Sequence, residues 1–205
     1  MKSNRHVYAV LLALCLALQS LAQIQKANPT TPLPVAVATG KARVSIHGTG
    51  ASSGDSVKID VSKGPNAPPG EQILTIPPGT VLENSNSAGQ GMVVAEVRGR
   101  VVSESMYEPA SRIELAGKGV VTYILSAFCM EFEKENPSNT DSFDIRTPDP
   151  KLACILKNSS KLSVPTRQAA VWIHTDHVTY DQMSQKFPVT VEEFNQGQAL
   201  VDRCQ

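Results

Sequence analysis

The sequence predicts an α+β fold: an N-terminal β-sandwich or barrel-like sheet followed by a short C-terminal helical bundle. Three observations carry this expectation. Short runs with alternating apolar residues recur between Lys41 and Glu133. Turn-forming clusters punctuate them, among them Gly48-Thr49-Gly50, Pro77-Pro78-Gly79 and Asn84-Ser85-Asn86. After Glu133 the punctuation changes to helix-starting Pro and Thr residues. Strands first and helices afterwards is the pattern of an α+β domain.

The candidate strands are Ala42–Ile46, Ser56–Val61, Gln72–Ile76, Met92–Val97, Ser111–Leu115 and Val120–Phe132. Each is bounded by residues that break a ladder or favour a turn. The last is the longest. Val121, Tyr123, Leu125, Ala127 and Cys129 share one face; Val120, Thr122, Ile124, Ser126, Phe128 and Met130 share the other. Both faces are largely apolar, which predicts a central strand with Cys129 buried. Asn136-Pro137-Ser138-Asn139 then opens a polar loop. Pro148 and Pro150 introduce a helix over Lys151–Lys157, and Pro165 introduces another over Arg167–His174. Thr179 with Gln182, and Thr190 with Glu193, have the spacing of capping boxes and start two more. No internal repeat is present.

Residues 1–22 have the layout of a secretory signal. Lys2, Arg5 and His6 precede the apolar run Val7–Leu18, and Ser20-Leu21-Ala22 supplies small residues for a cut near Ala22. The expected product is secreted, in the periplasm or outside the cell. The run is too short to span a bilayer, and no later stretch is expected to. Residues 23–40, rich in Pro, Thr and Ala, are expected to form a spacer. Residues 41–205 are expected to form one domain, with 41–133 as its β part and 134–205 as its helical part. Without Lys2 and Arg5 the chain holds 17 basic and 19 acidic residues, about −2 in charge, with no basic patch. Nucleic acid and anionic membrane are not expected as partners. Nothing in the sequence specifies an oligomeric state.

Cys15 leaves with the leader, so Cys129, Cys154 and Cys204 remain, an odd number for an oxidising compartment. Cys154 and Cys204 both lie in helix-like C-terminal segments and form the candidate disulfide, which leaves Cys129. Sequence alone does not fix the connectivity. Gln168 is the second residue of interest. Val171 and Trp172 lie three and four residues on, on the same helix face. The only tryptophan beside a valine faces a core, and carries the Gln168 carboxamide inward with it. A buried carboxamide needs partners, since leaving it unpaired costs about 1–3 kcal/mol.

Phe128-Cys129-Met130 at the end of a strand, followed by Gln168-Ala169-Ala170-Val171-Trp172 at the head of a helix, resembles the paired motifs of the bacterial surface-protein thioester domains. In that family the Cys and Gln condense with loss of ammonia. The resemblance implies an internal thioester between Cys129 and Gln168, with Phe128, Met130, Val171 and Trp172 around it; His174, close by in sequence, is expected to support the site. It also implies covalent capture of an amine-bearing protein or surface ligand, in a single turnover rather than an enzyme cycle. The chain departs from the family at Arg167, where Thr or an apolar residue is usual, and in its short Cys-to-Gln separation. The family's repeat stalk and wall-sorting signal are not in this sequence.

Two other readings stay open. In one, the chain is a non-catalytic exported β-sandwich module for binding or scaffolding, with Cys129 an inert core thiol and Gln168 a structural carboxamide. In the other, Cys129 is the nucleophile of a cysteine hydrolase with His174 or His177 as base. His174, Asp176, His177 and Asp181 are close in sequence, but no further cluster with zinc spacing accompanies them, so neither metal nor cofactor is expected.

Overall fold

The longest apolar strand expected from the sequence lies at the centre of the sheet it organises. In the computed structural model, which describes residues 30–205, it is β9 (Val121–Cys129). It pairs antiparallel with β6 (Met92–Ser103) on one side and β3 (Ser53–Lys63) on the other. Beyond β3 lies β2 (Ala42–Gly48). Beyond β6 lie β5 (Thr80–Asn84) and then β10 (Phe143–Pro148), while β7 (Met106–Pro109) pairs with the far end of β6. The two edges meet. His47 bridges Ser142, and the Gly48 N–H donates to the Asp141 carbonyl at 3.3 Å. The sheet is therefore a nearly closed, barrel-like one rather than a pair of flat layers, and closure removes most of its free edge.

The closing contact has a specific chemistry. A Cβ at Gly48 would lie 2.5 Å from the Ser138 carbonyl oxygen, so only glycine fits there. Asp141 organises the loop opposite. Its carboxylate accepts from the Ser138 N–H at 2.8 Å and from the side-chain amides of Asn84 and Asn86 at 3.4 Å. The Ser138 N–H, foremost, holds this carboxyl below its ordinary range.

The leader assigned to residues 1–22 lies outside the described residues, as does the first part of the spacer. The rest of that spacer is structured. Thr30–Pro32 forms β1, which runs parallel to β4 (Gln72–Thr75); β4 pairs in turn with β8 (Ile113–Leu115). Leu33–Ala38 forms the short helix α1, which buries Leu33 and Ala36, three residues apart on one face. The described domain thus begins before Lys41. A second correction concerns Phe143–Pro148, expected to lie in the helical part, which is an edge strand of the barrel.

The helices follow the expected order. α2 (Pro150–Asn158) is capped by Asp149, which accepts from the N–H groups of Lys151 and Leu152. α3 (Val164–Asp176) is capped by Ser163. α4 (Tyr180–Lys186) and α5 (Val191–Arg203) both start with full capping boxes, from Thr179 with Gln182 and Thr190 with Glu193. α3 is the core helix: Thr166 through Ile173 are all buried. α5 crosses it closely at Gly197, where a Cβ would sit 3.0 Å from the Ala170 nitrogen. Cys154 on α2 and Cys204 at the end of α5 are joined by a disulfide, their Cα atoms 5.8 Å apart. Among the described residues, no helix is long and apolar enough to cross a membrane.

Candidate functional site

β9 ends at Cys129, and α3 packs across that end. Both Cys129 and Gln168 are completely buried. The Gln168 carboxamide faces the main chain of Cys129 on two sides. The Cys129 N–H donates to Gln168 Oε1 at 3.1 Å, and Gln168 Nε2 donates to the Cys129 carbonyl at 2.9 Å. The Cys129 N–H also reaches the Ser52 carbonyl at 3.1 Å. The side-chain amide thus acts as a short piece of strand at the edge of β9.

Further bonds extend this pairing along the chain that leaves β9. Thr175 Oγ1, seven residues from Gln168 and on the same helix face, donates to the Met130 carbonyl at 2.6 Å. The Phe132 N–H donates to Asp176 Oδ2 at 3.1 Å. The Met130 N–H donates to the Gly91 carbonyl at 3.0 Å. Residues 129–132 are therefore held between α3 and the start of β6. Thr175 was not singled out from the sequence, and Asp176 was weighed only in the cluster with His174, His177 and Asp181. The i+7 spacing from Gln168 was the available signal for Thr175.

The thiol is free and buried. It donates to Met92 Sδ at 3.5 Å across the β6–β9 pair. Burial, with Glu131 adding to it, pushes the Cys129 thiol up to about 12, so it is protonated at neutral pH. The surrounding wall is apolar and aromatic. Val171 and Trp172 are buried, and the indole meets Phe132 and Phe187 edge-on at centroid distances of 5.1 and 5.4 Å. Phe128 is fully buried, and the guanidinium of Arg167 lies over its ring at 4.8 Å. Arg167 is itself buried and lies 3.7 Å from Glu96. Desolvation, above all, lowers the pKa of that guanidinium.

His174, expected beside the pair, lies elsewhere. Six residues from Gln168 is about 120° around a helix. His174 and His177 line a separate cavity of about 740 Å³ bounded by α2, α3 and α5. His177 closes α3 in the left-handed conformation, with φ 54°. Among the described residues, the thiol makes no hydrogen bond to an imidazole, and no group of three or more His, Cys, Asp or Glu side chains is placed to hold a metal.

The arrangement sets the Gln168 carbonyl against the Cys129 N–H in a closed interior, while the thiol of the same residue contacts Met92 Sδ. An N–H on the nucleophile's own residue, donating to the carbonyl oxygen under attack, is a recurrent way of stabilising an oxyanion. Compared with protein-family models, with curated proteins and with solved structures, the chain has no match to any.

Proposed function

We propose that this is an exported protein in which Cys129 and Gln168 condense to an internal thioester that captures an amine-bearing partner. The observation that carries this reading is the hydrogen bond from the Cys129 N–H to Gln168 Oε1. It polarises the carbonyl of a carboxamide held on the main chain of the residue that carries the one free thiol among the described residues, while Cys154 and Cys204 are tied to each other. The Cys129 sulfur bonds to the Gln168 carboxamide carbon, the C–N bond breaks, and the thiol proton leaves with ammonia. A partner amine then attacks the same carbon. An isopeptide forms at Gln168 and the displaced sulfur takes up a proton from the amine. Each molecule turns over once. Full burial of both side chains keeps water from the acyl group.

A second reading, the non-catalytic binding or scaffolding module, draws on the carboxamide's two bonds to the Cys129 main chain, which satisfy it as a structural brace. The hydrolase reading has the least support, since His174 and His177, the expected bases, line a separate cavity and neither bonds to the thiol.

Intact mass separates these readings. Wild-type protein should be lighter than its sequence by one ammonia, and should gain the mass of methylamine on exposure to it. Cys129→Ala and Gln168→Ala should keep their full sequence masses and ignore the amine. A wild-type protein of full sequence mass, refolded under non-reducing conditions, would leave the brace as the role of this pair.

A further inference from the structure

The helical part holds a cavity that the Cys129 pair does not use. It is the one lined by His174 and His177, about 740 Å³ in volume, a size that takes a small organic ligand. Three helices present side chains to it at helical spacing. Lys151 and Ile155 are four residues apart on α2, His174 and His177 three apart at the end of α3, and Phe194 and Val201 seven apart on α5. Ile155, Ile173, Val178 and Val201, all buried, form an aliphatic floor. The half-buried Phe194 ring stands in the wall, edge-on to Tyr180 at 5.9 Å.

The rim is basic. Lys151 and His177 are exposed and His174 is half-buried. Among the described residues, none of these three side chains is in an ion pair or a hydrogen bond. No Asp or Glu side chain lines the cavity. On the flanking turns, Asp176 accepts from the Phe132 N–H and the Thr175 hydroxyl, and Asp202 accepts from the Gln198 amide. Asp181, in the first turn of α4, lies outside the wall, and Gln205, in the wall, makes no ion pair with the three. An apolar floor below unpaired donors selects a ligand with an alkyl chain and an anionic head. A carboxylate is acceptor-only, and each imidazole carries at least one N–H whatever its charge. Bonds between an ammonium and a carboxylate are the stronger, charge-assisted kind. We propose that this cavity holds a free straight-chain carboxylate, its alkyl chain on the aliphatic floor and its oxygens accepting from Lys151 Nζ and an imidazole N–H of His174 or His177.

Calorimetric titration of the folded protein at pH 7 tests this with two probes of the same chain length, octanoate and 1-octanol. Octanoate should bind saturably, and about 10-fold more tightly than the alcohol, the worth of one charge-assisted bond. Lys151→Met keeps an apolar stem at an exposed position. It should bring octanoate to the affinity of the alcohol and leave the alcohol unchanged. His177→Gly removes an imidazole where φ is 54°, a backbone that glycine adopts freely, and should also weaken octanoate alone. The comparison of the two probes on the wild type decides the matter even if a variant fails to fold. No saturable binding of octanoate, equal binding of acid and alcohol, or sedimentation with anionic vesicles in the absence of octanoate binding would overturn the proposal. None of these results depends on the intact mass, so the failure of the thioester and the failure of this site are separate outcomes.

Discussion

Cys129→Ala distinguishes a covalent link from a hydrogen-bonded one, because both bonds from Gln168 go to the main chain of residue 129. Alanine keeps that main chain. Without a thioester, the substitution removes only a buried sulfur and its contact with Met92, about the burial of one methylene-sized group, or about 1 kcal/mol. With a thioester, it also removes a cross-link spanning 39 residues. Treated like a disulfide that closes a loop of that size, the cross-link stabilises the fold by about 4 kcal/mol through the lost entropy of the unfolded chain. The expected difference between wild type and Cys129→Ala is therefore about 5 kcal/mol in one case and about 1 kcal/mol in the other. At a urea dependence of about 2 kcal/mol per molar, the midpoints differ by about 2.5 M or about 0.5 M. Urea unfolding at neutral pH, in non-reducing buffer free of amines, measures this. A difference near 1 kcal/mol would refute the cross-link, whatever the proximity of the two residues.

Three further outcomes follow from the same contacts. In Gln168→Met, where no thioester can form, the buried Cys129 thiol keeps a raised pKa. A folded value of about 12 against an unfolded value near 9 stabilises the fold below pH 9, and this is lost as pH rises towards 12, by about 1.4 kcal/mol per pH unit at the steepest. Alkaline unfolding curves should show this loss in Gln168→Met and not in Gln168→Met with Cys129→Ala. Replacing both Cys154 and Cys204 by Ala opens a link across 50 residues and should lower stability by about 4 kcal/mol in urea unfolding, with α2 and α5 losing amide-exchange protection first. Gly197→Leu should separate α5 from α3, because even a Cβ there meets Ala169 Cβ at 3.1 Å; a loss of more than about 2 kcal/mol with the barrel strands still protected is the expected result.

The parts of this fold legible in the sequence are those whose local signals agree with their surroundings. β9 alternates over nine residues and is buried on both faces, so its pattern and its environment coincide. The starts of α4 and α5 were legible because a capping box is a contact between neighbours. β10 was not. It buries fully only Phe143, carries Asp144 and Arg146 outward, and ends in Pro148, so it has the composition of a loop. β10 is a strand because β5 pairs with it, and because Asp141, far from Gly48 in sequence, closes the barrel. α1 was missed for a similar reason: Pro34, Val35 and Val37 are poor helix formers, and burial of Leu33 and Ala36 overrides their propensity. At the site, the i+3 and i+4 rule placed Gln168 beside Trp172 correctly, but sequence proximity to His174 gave the wrong neighbour, since the helix turns His174 away.

The burial that makes the Cys129–Gln168 pair stable also sets the tempo of the proposed chemistry. A thiol at about 12 supplies only about 10⁻⁵ of its population as thiolate at pH 7, which would make an ordinary attack on an amide negligible. Against that stands intramolecular positioning, worth effective concentrations of about 10⁵ M or more when the reacting groups are fixed together. Here the Cys129 N–H and carbonyl fix the amide from both ends, so its reorientation entropy is already spent in folding. The two factors are of the same order, which makes ring closure a slow step that follows folding rather than one that competes with it. The same high thiol pKa makes Cys129 a poor leaving group, and the closed interior excludes water, so both features lengthen the life of an acyl group once formed. A reactive bond protected this way needs a partner that opens the wall, in which Trp172 is covered edge-on by the half-buried Phe187 ring.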